Sequence, residues 1–249
     1  MKDEQIDDLL KNAAPAPYEL RSDLLRQVAD SIQPSLRAVH PLPPAWTMIG
    51  GLMLICAAIS LAGAARSGFF GIAKMDSLER ALIFSVLAIL VWTAAQMFVR
   101  EMIPGSLRRV SSALFLALGS ASLLGLFALL FRDYQTHHFL SIGIVCLTTG
   151  FLHAVPAGLL SWLLLRRGFA VNPVSAGLAA GTLAGFAGVG MLELHCPNFE
   201  AAHLLVWHTA VVPLSGGAGA LLAWALSRLA RTALYQAIFP GKNSANRSS

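Results

Sequence analysis

Five of the cysteine and histidine residues in the second half of the chain are the side chains best suited to chemistry. The segment ELHCPNFEAAH carries His195, Cys196 and His203; His208 follows it, and Cys146 lies in an earlier apolar run. Thiol and imidazole groups bind soft metals, and thiols also pair oxidatively. The pattern therefore allows a Cys146–Cys196 disulfide, or a soft-metal site at Cys196 with nearby histidines. A structural interpretation competes, in which Cys146 packs between helices and the histidines lie at a polar interface.

The other cysteine and the remaining polar residues predict no catalysis. Cys56 lies in the middle of the first apolar segment and is expected to be a small packing residue. Three cysteines are too few and too scattered for a disulfide framework or a CxxC metal knuckle. The apolar segments contain no nucleophile–base pair and no carboxylate cluster. We therefore predict that the protein is not an enzyme, and we assign no catalytic residue, no cofactor and no definite metal ligand.

The composition indicates which elements must position these side chains. Of the 249 residues, 56% are hydrophobic and 12% are charged, whereas soluble domains carry roughly 25% charged residues. The charges gather at the two ends of the chain and in short runs between apolar segments. Such a distribution is typical of a chain whose main solvent is lipid.

Six apolar segments are long enough to cross a membrane, which takes roughly 20 residues for a core about 30 Å thick. They cover about Pro44 to Ala65, Ala81 to Val99, Val110 to Phe131, Phe139 to Leu165, Pro173 to Leu192 and His203 to Leu226. Backbone groups in lipid must pair within their own segment, so each segment is expected to be a helix. The predicted fold class is all-α: a six-helix transmembrane bundle (residues 44–229), with an N-terminal segment (1–43) and a C-terminal tail (230–249).

The lysines and arginines predict the orientation of these spans. Fourteen of the 18 lie in the N-terminal segment, in the loops after the second and fourth spans, and after the end of the sixth span. Cytoplasmic loops accumulate positive charge, so both termini are predicted to be cytoplasmic, in a bacterial inner membrane. This bias accounts for the net charge of +5 without any direct contact with nucleic acid. Cys196 and its neighbouring histidines then lie on the periplasmic side.

The N-terminal segment carries two apolar stripes at helical spacing. Their members are the predicted partner-binding residues Ile6, Leu9, Leu10, Leu24, Leu25 and Val28. Helices that lie on a membrane favour Lys and Arg on the polar face, whereas acidic residues outnumber basic ones here. We therefore prefer a protein partner to docking on the lipid or on the bundle itself.

The fifth span indicates close helix packing rather than transport. Gly177, Gly181 and Gly185 recur at four-residue spacing, which lets a neighbouring helix approach closely. No Asp, Glu, Lys or Arg is expected well inside the bilayer, and Glu193 is placed at the outer end of this span. Ion pathways usually need such groups, and a coupled transporter is therefore disfavoured.

The stretch LHCPNFEAAHLLVWH, with an L-x-CP turn before the last span, resembles the NrsF family of polytopic anti-sigma factors. The opening IDDLLKNAAPAP, the six-span layout, Cys146 in the fourth span and the LLLRRG that follows agree with this family. The resemblance implies that the protein holds an extracytoplasmic-function sigma factor at the inner membrane until a stress outside is sensed. It also implies that Cys146 and Cys196 are linked to sensing.

These observations lead to one leading hypothesis and one alternative. The leading one is a membrane-bound anti-sigma factor that binds an extracytoplasmic-function sigma factor in the cytoplasm. It releases this partner when an oxidant or a heavy metal is present in the periplasm. The predicted sensing residues are Cys146, Cys196, His195, His203 and His208. The N-terminal segment has no cysteine and only one histidine, His40, which excludes a cytoplasmic zinc switch. The alternative is a small transporter or channel component with a periplasmic His/Cys metal site.

Overall fold

The structure is a computed structural model of the chain. It describes residues 26–27, 30, 43–103, 105–106, 110–136, 138–166, 168 and 170–238, with side chains as far as residue 232. The chain divides into two units, Met1–Pro41 and Leu42–Ser249. Every element named below belongs to the second unit.

The second unit is built from helices joined by short loops. They are α1 (Ala45–Ser67), α2 (Phe70–Lys74), α3 (Ser77–Met102), α4 (Ser112–Leu130), α5 (Phe139–Leu165), α6 (Pro173–His195), α7 (Ala201–His203) and α8 (Thr209–Ile238). A π-helical turn, Leu204–His208, joins α7 to α8. Six of these helices are long and apolar enough to cross a membrane, with α7, the π turn and α8 counted as one. The part of the chain that the structure describes has no strand, and the predicted all-α, six-helix fold is confirmed.

Large apolar side chains cover the outside of the bundle. Five residues, each from a different one of these membrane-length helices, are between 62% and 75% exposed: Leu54, Ile89, Leu129, Leu152 and Leu221. A water-soluble monomer rarely presents apolar surface on so many of its elements. The outward surface is therefore compatible with a multi-pass membrane protein.

The second span begins earlier than predicted, at Ser77 rather than Ala81. Asp76 caps this helix: its carboxylate accepts a hydrogen bond from the Glu79 N–H (2.7 Å), and the Glu79 carboxylate accepts one from the Asp76 N–H (2.9 Å). This reciprocal capping stabilises a polar first turn. A helix start placed by hydropathy alone leaves this turn out of the helix. At the other end of the chain, α8 continues to Ile238, past the predicted start of the tail at residue 230.

Helix α6 lies at the centre of the bundle. In its most apolar window 78% of the residues are buried, against 17% to 39% in the other five spans. Its neighbours include α1, where the Ser60 hydroxyl contacts the carbonyls of Cys56 (3.0 Å) and Ala187 (2.8 Å). Cys56 is buried in the apolar core, and its predicted role as a packing residue is confirmed.

The glycines of α6 allow close contact with α8. A Cβ atom at Gly177 would collide with the Gly219 carbonyl, and one at Gly181 would collide with the Ser215 carbonyl. A Cβ at Gly185 would lie 2.8 Å from the Cα of Val212. These backbones meet directly, so the predicted packing face is confirmed.

We expect Gly181→Val to destabilise the bundle, because the added side chain meets the backbone of α8, which cannot move aside. Overpacking of this kind costs about 3 kcal/mol. Gly217→Val is the matched control, because a Cβ at Gly217 has no neighbour within 4 Å. The measurement is the fraction of detergent-solubilised protein that stays monodisperse after graded heating. Equal heat resistance of the two variants would contradict the packing described here.

Candidate functional site

The segments that join α1 to α3, α4 to α5 and α6 to α7 meet at one end of the bundle, called the thiol end below. The Lys74 ammonium donates a hydrogen bond to the Pro197 carbonyl (3.2 Å), and the Ala201 N–H donates one to the Asp133 carbonyl. These bonds hold the segment between α6 and α7 against the two other loops. Cys196 is the first residue after α6, and its N–H donates to the Leu192 carbonyl (2.7 Å).

Cys146 faces α6 because it shares a helix face with two glycines of α5. Gly143, Cys146 and Gly150 are all buried and spaced three and four residues apart, which places them on one side of the helix. A Cβ at Gly143 would collide with Trp207, and one at Gly150 would lie 2.7 Å from a methyl group of Leu192. The small residues bring this stretch of α5 close to the end of α6.

The structure brings the two predicted sensing thiols into contact. The Sγ atoms of Cys146 and Cys196 are 3.4 Å apart, and both cysteines are free thiols. Their side chains are almost fully buried, with exposed fractions of 8% and 3%. The contact with Cys146, together with burial, raises the pKa of the Cys196 thiol. The pair is therefore placed for either oxidation or shared binding of a soft cation.

The π-helical turn adds two histidines to this pair. His203 and His208 are five residues apart, which on a regular α-helix would separate them by about 140°. In a π turn the N–H bonds to the carbonyl five residues earlier, as the Thr209 N–H does with Leu204. The turn brings both imidazoles to one face, with ring centroids 5.1 Å apart. His203 Nε2 lies 3.6 Å from the Cys196 sulfur.

Glu193 completes the site, and the sequence pattern did not predict this role. It was expected at the outer end of the fifth span, but its side chain is fully buried. Its Oε1 lies 2.6 Å from Nδ1 of His208, a short contact between a carboxylate and an imidazole. The available signal was its position three residues before Cys196, a spacing that places two side chains on the same side of a helix.

The four Cys and His residues form a compact set of metal-ligand atoms. One such atom from each of Cys146, Cys196, His203 and His208 lies within 4.8 Å of all the others. Nδ1 of His203 and Nε2 of His208 are buried and make no hydrogen bond of standard geometry among the described residues. The arrangement can form a disulfide between its thiols or bind one cation.

The structure places His195 apart from these residues. Its Nδ1 lies 3.0 Å from the Gly68 carbonyl oxygen, and its ring is 6.0 Å from that of Phe70. His195 therefore contacts the segment after α1 rather than the thiols. The other predicted functional residues, namely Ile6, Leu9, Leu10, Leu24, Leu25 and Val28, lie outside the described residues.

The fold and this site together define a class of protein: a bundle of six membrane-length helices with a buried thiol and imidazole cluster at one end. Comparison with protein families then identifies it further. The sequence model of the NrsF family, described as negative regulator of sigma F, matches residues 33–229. This match covers well over half of the chain, so the protein belongs to the NrsF family, as the resemblance indicated. Neither the curated proteins nor the solved structures contain a match.

Proposed function

We propose that this protein is an anti-sigma factor of the bacterial inner membrane that holds an extracytoplasmic-function sigma factor at the cytoplasmic face. It releases this partner when its thiol end meets an oxidant or a heavy metal in the periplasm. The family match carries the proposal, because the family is one of negative regulators of a sigma factor. The adjacent thiols of Cys146 and Cys196 support the sensing step.

The sensing chemistry is that of a thiol pair. With a peroxide as oxidant, the two thiols would form one disulfide bond while the peroxide O–O bond breaks, and the two protons and two electrons would reduce the peroxide to an alcohol and water. A soft cation would instead displace the two thiol protons and bind both sulfurs. Either event would change how α5 is held against the end of α6.

The regulator is distinguished from a small transporter or channel component by its effect on transcription. Deleting the gene should raise transcription from promoters of the bound sigma factor without any inducer, and restoring the full-length chain should lower it again. A transporter would leave these promoters unchanged in unstressed cells. No change in any sigma-dependent promoter after deletion would contradict the proposal.

Orientation is a separate prediction, supported by the bias of lysine and arginine toward one side. A reporter that works only in the cytoplasm should be active when it is fused after Arg109 or at the C-terminus. A reporter that works only in the periplasm should be active when it is fused near Asn198, in the segment between α6 and α7. A periplasmic C-terminus would require an odd number of spans and would contradict the proposed topology.

A further inference from the structure

We infer that Cys146, Cys196, His203 and His208 form a four-coordinate site for one thiophilic divalent cation of the Zn²⁺ and Cd²⁺ class, oriented by Glu193. The sequence pattern allowed a soft-metal site at Cys196 with nearby histidines but defined no set of ligands, and the two histidines and the glutamate become part of one site only in the folded chain. The coordination is inferred from geometry. Its role as an input to sigma-factor release rests on the proposed function.

The spacing of the donor atoms fits tetrahedral coordination. With metal–sulfur bonds of about 2.3 Å and metal–nitrogen bonds of about 2.0–2.1 Å, a tetrahedral site places two sulfurs roughly 3.8 Å apart and a sulfur and a nitrogen roughly 3.6 Å apart. The Cys196 sulfur lies 3.6 Å from His203 Nε2, and the Cys146 and Cys196 sulfurs, 3.4 Å apart, would have to separate by a few tenths of an ångström. The other pairs lie within 4.8 Å, so small side-chain movements would complete the site.

A second observation points to a ligand at this place. Nε2 of His208 is the ring nitrogen left over by the contact with Glu193. It is buried beside the Cys196 thiol but makes no hydrogen bond of standard geometry among the described residues. Burial without a well-formed hydrogen bond is unfavourable for such an atom. A cation bound between the sulfurs and the imidazoles would give this nitrogen a stronger partner.

Glu193 acts as a positioning residue in this arrangement. Metal-binding histidines usually donate their other ring N–H to a carboxylate or a carbonyl, which sets the tautomer and the orientation of the ring. The 2.6 Å contact between Glu193 Oε1 and His208 Nδ1 has this form and directs Nε2 of His208 to the cluster.

The chemistry of the donor set selects the class of cation. Two thiolates and two imidazoles suit Zn²⁺ and other soft or borderline cations, whereas Mg²⁺ and Ca²⁺ prefer oxygen ligands. On binding, each thiol loses its proton to solvent and forms a metal–sulfur bond. The two thiolate charges then balance the charge of the divalent ion, which favours its burial.

The test is titration of the reduced, detergent-solubilised full-length protein with Co²⁺, whose spectrum reports both tetrahedral geometry and thiolate ligation. We expect one ion per chain and displacement of Co²⁺ by Zn²⁺ or Cd²⁺. His203→Gln and His208→Gln should each weaken binding at least tenfold, and His195→Gln, the matched control beside Cys196, should not. Glu193→Gln should weaken binding by about 10-fold to 100-fold with an unchanged stoichiometry. Gel filtration of each variant separates loss of a ligand from loss of fold.

The inference is overturned if the folded, reduced protein binds no Co²⁺, binds it octahedrally, or binds it equally well in the His203→Gln and His208→Gln variants. Failure of the proposed function has a different signature. If Co²⁺ binds as expected while cysteine substitution leaves release of the sigma factor unchanged in cells, the metal site is supported and its role in sensing is contradicted. If no metal binds and cysteine substitution still blocks release, the sensing role is supported and the metal site is contradicted.

Discussion

Replacing Leu9 and Leu10 by Asp is expected to weaken binding of the sigma factor by about two to four orders of magnitude. An amphipathic helix binds a partner groove through anchors at i, i+3 and i+4, and Ile6, Leu9 and Leu10 have this spacing. Burial of each Leu contributes about 1.5–3 kcal/mol, and about 1.4 kcal/mol corresponds to a tenfold change in affinity. The measurement is capture of the sigma factor by full-length protein in detergent, together with the output of a sigma-dependent reporter in cells.

A matched control adds the same charge outside the apolar stripe. Lys11→Glu lowers the charge by the same two units at a position five, two and one residues from Ile6, Leu9 and Leu10, which a helix would place on another face. This variant should capture the sigma factor as well as the unchanged chain does. The family match begins at residue 33 and leaves both positions 9 and 10 outside it. If Leu9→Asp, Leu10→Asp captures the partner normally, the contact lies elsewhere, for example at the loops after α3 and α5.

Cys146→Ser and Cys196→Ser should each reduce the response to peroxide or Cd²⁺ at least tenfold while repression without inducer stays intact. A serine hydroxyl cannot form a disulfide and is a poor ligand for soft metals. The two sulfurs are 3.4 Å apart, so loss of either removes both the disulfide and the shared binding of a cation. The measurement is reporter induction over a range of inducer concentrations, with membrane levels of each variant compared by immunoblot.

Cys56→Ser is the control for this pair, because Cys56 lies among the core residues of α1 and the structure places it outside the Cys and His cluster. It should respond to the inducers as the unchanged protein does. Normal responses from both Cys146→Ser and Cys196→Ser would mean that these thiols serve only to pack α5 against the end of α6.

Much of the fold follows from the sequence because apolar segments of membrane length are under a simple physical constraint. An apolar segment of about 20 residues has to pair its backbone groups internally, so six such segments predict six helices without any knowledge of their contacts. Glycines at four-residue spacing likewise predicted a close helix contact, and Gly181 lies directly against the backbone of α8. The errors fell at helix ends, such as Asp76 and Glu79, where capping rather than hydropathy sets the start.

The sequence alone determined that Cys146 and Cys196 were candidates for soft-ligand chemistry, since thiols are recognisable by residue type. Only the tertiary structure decided which side chains join them. His195 is next to Cys196 in the chain but leaves α6 in another direction, toward Gly68. His203 and His208 share a face because the local backbone is a π turn. The spacing of apolar residues in the sequence does not reveal that the hydrogen bonds of this turn span five residues. Glu193 is part of the site because its partner, His208, approaches from a different helix, and the period of one helix carries no information about contacts with another.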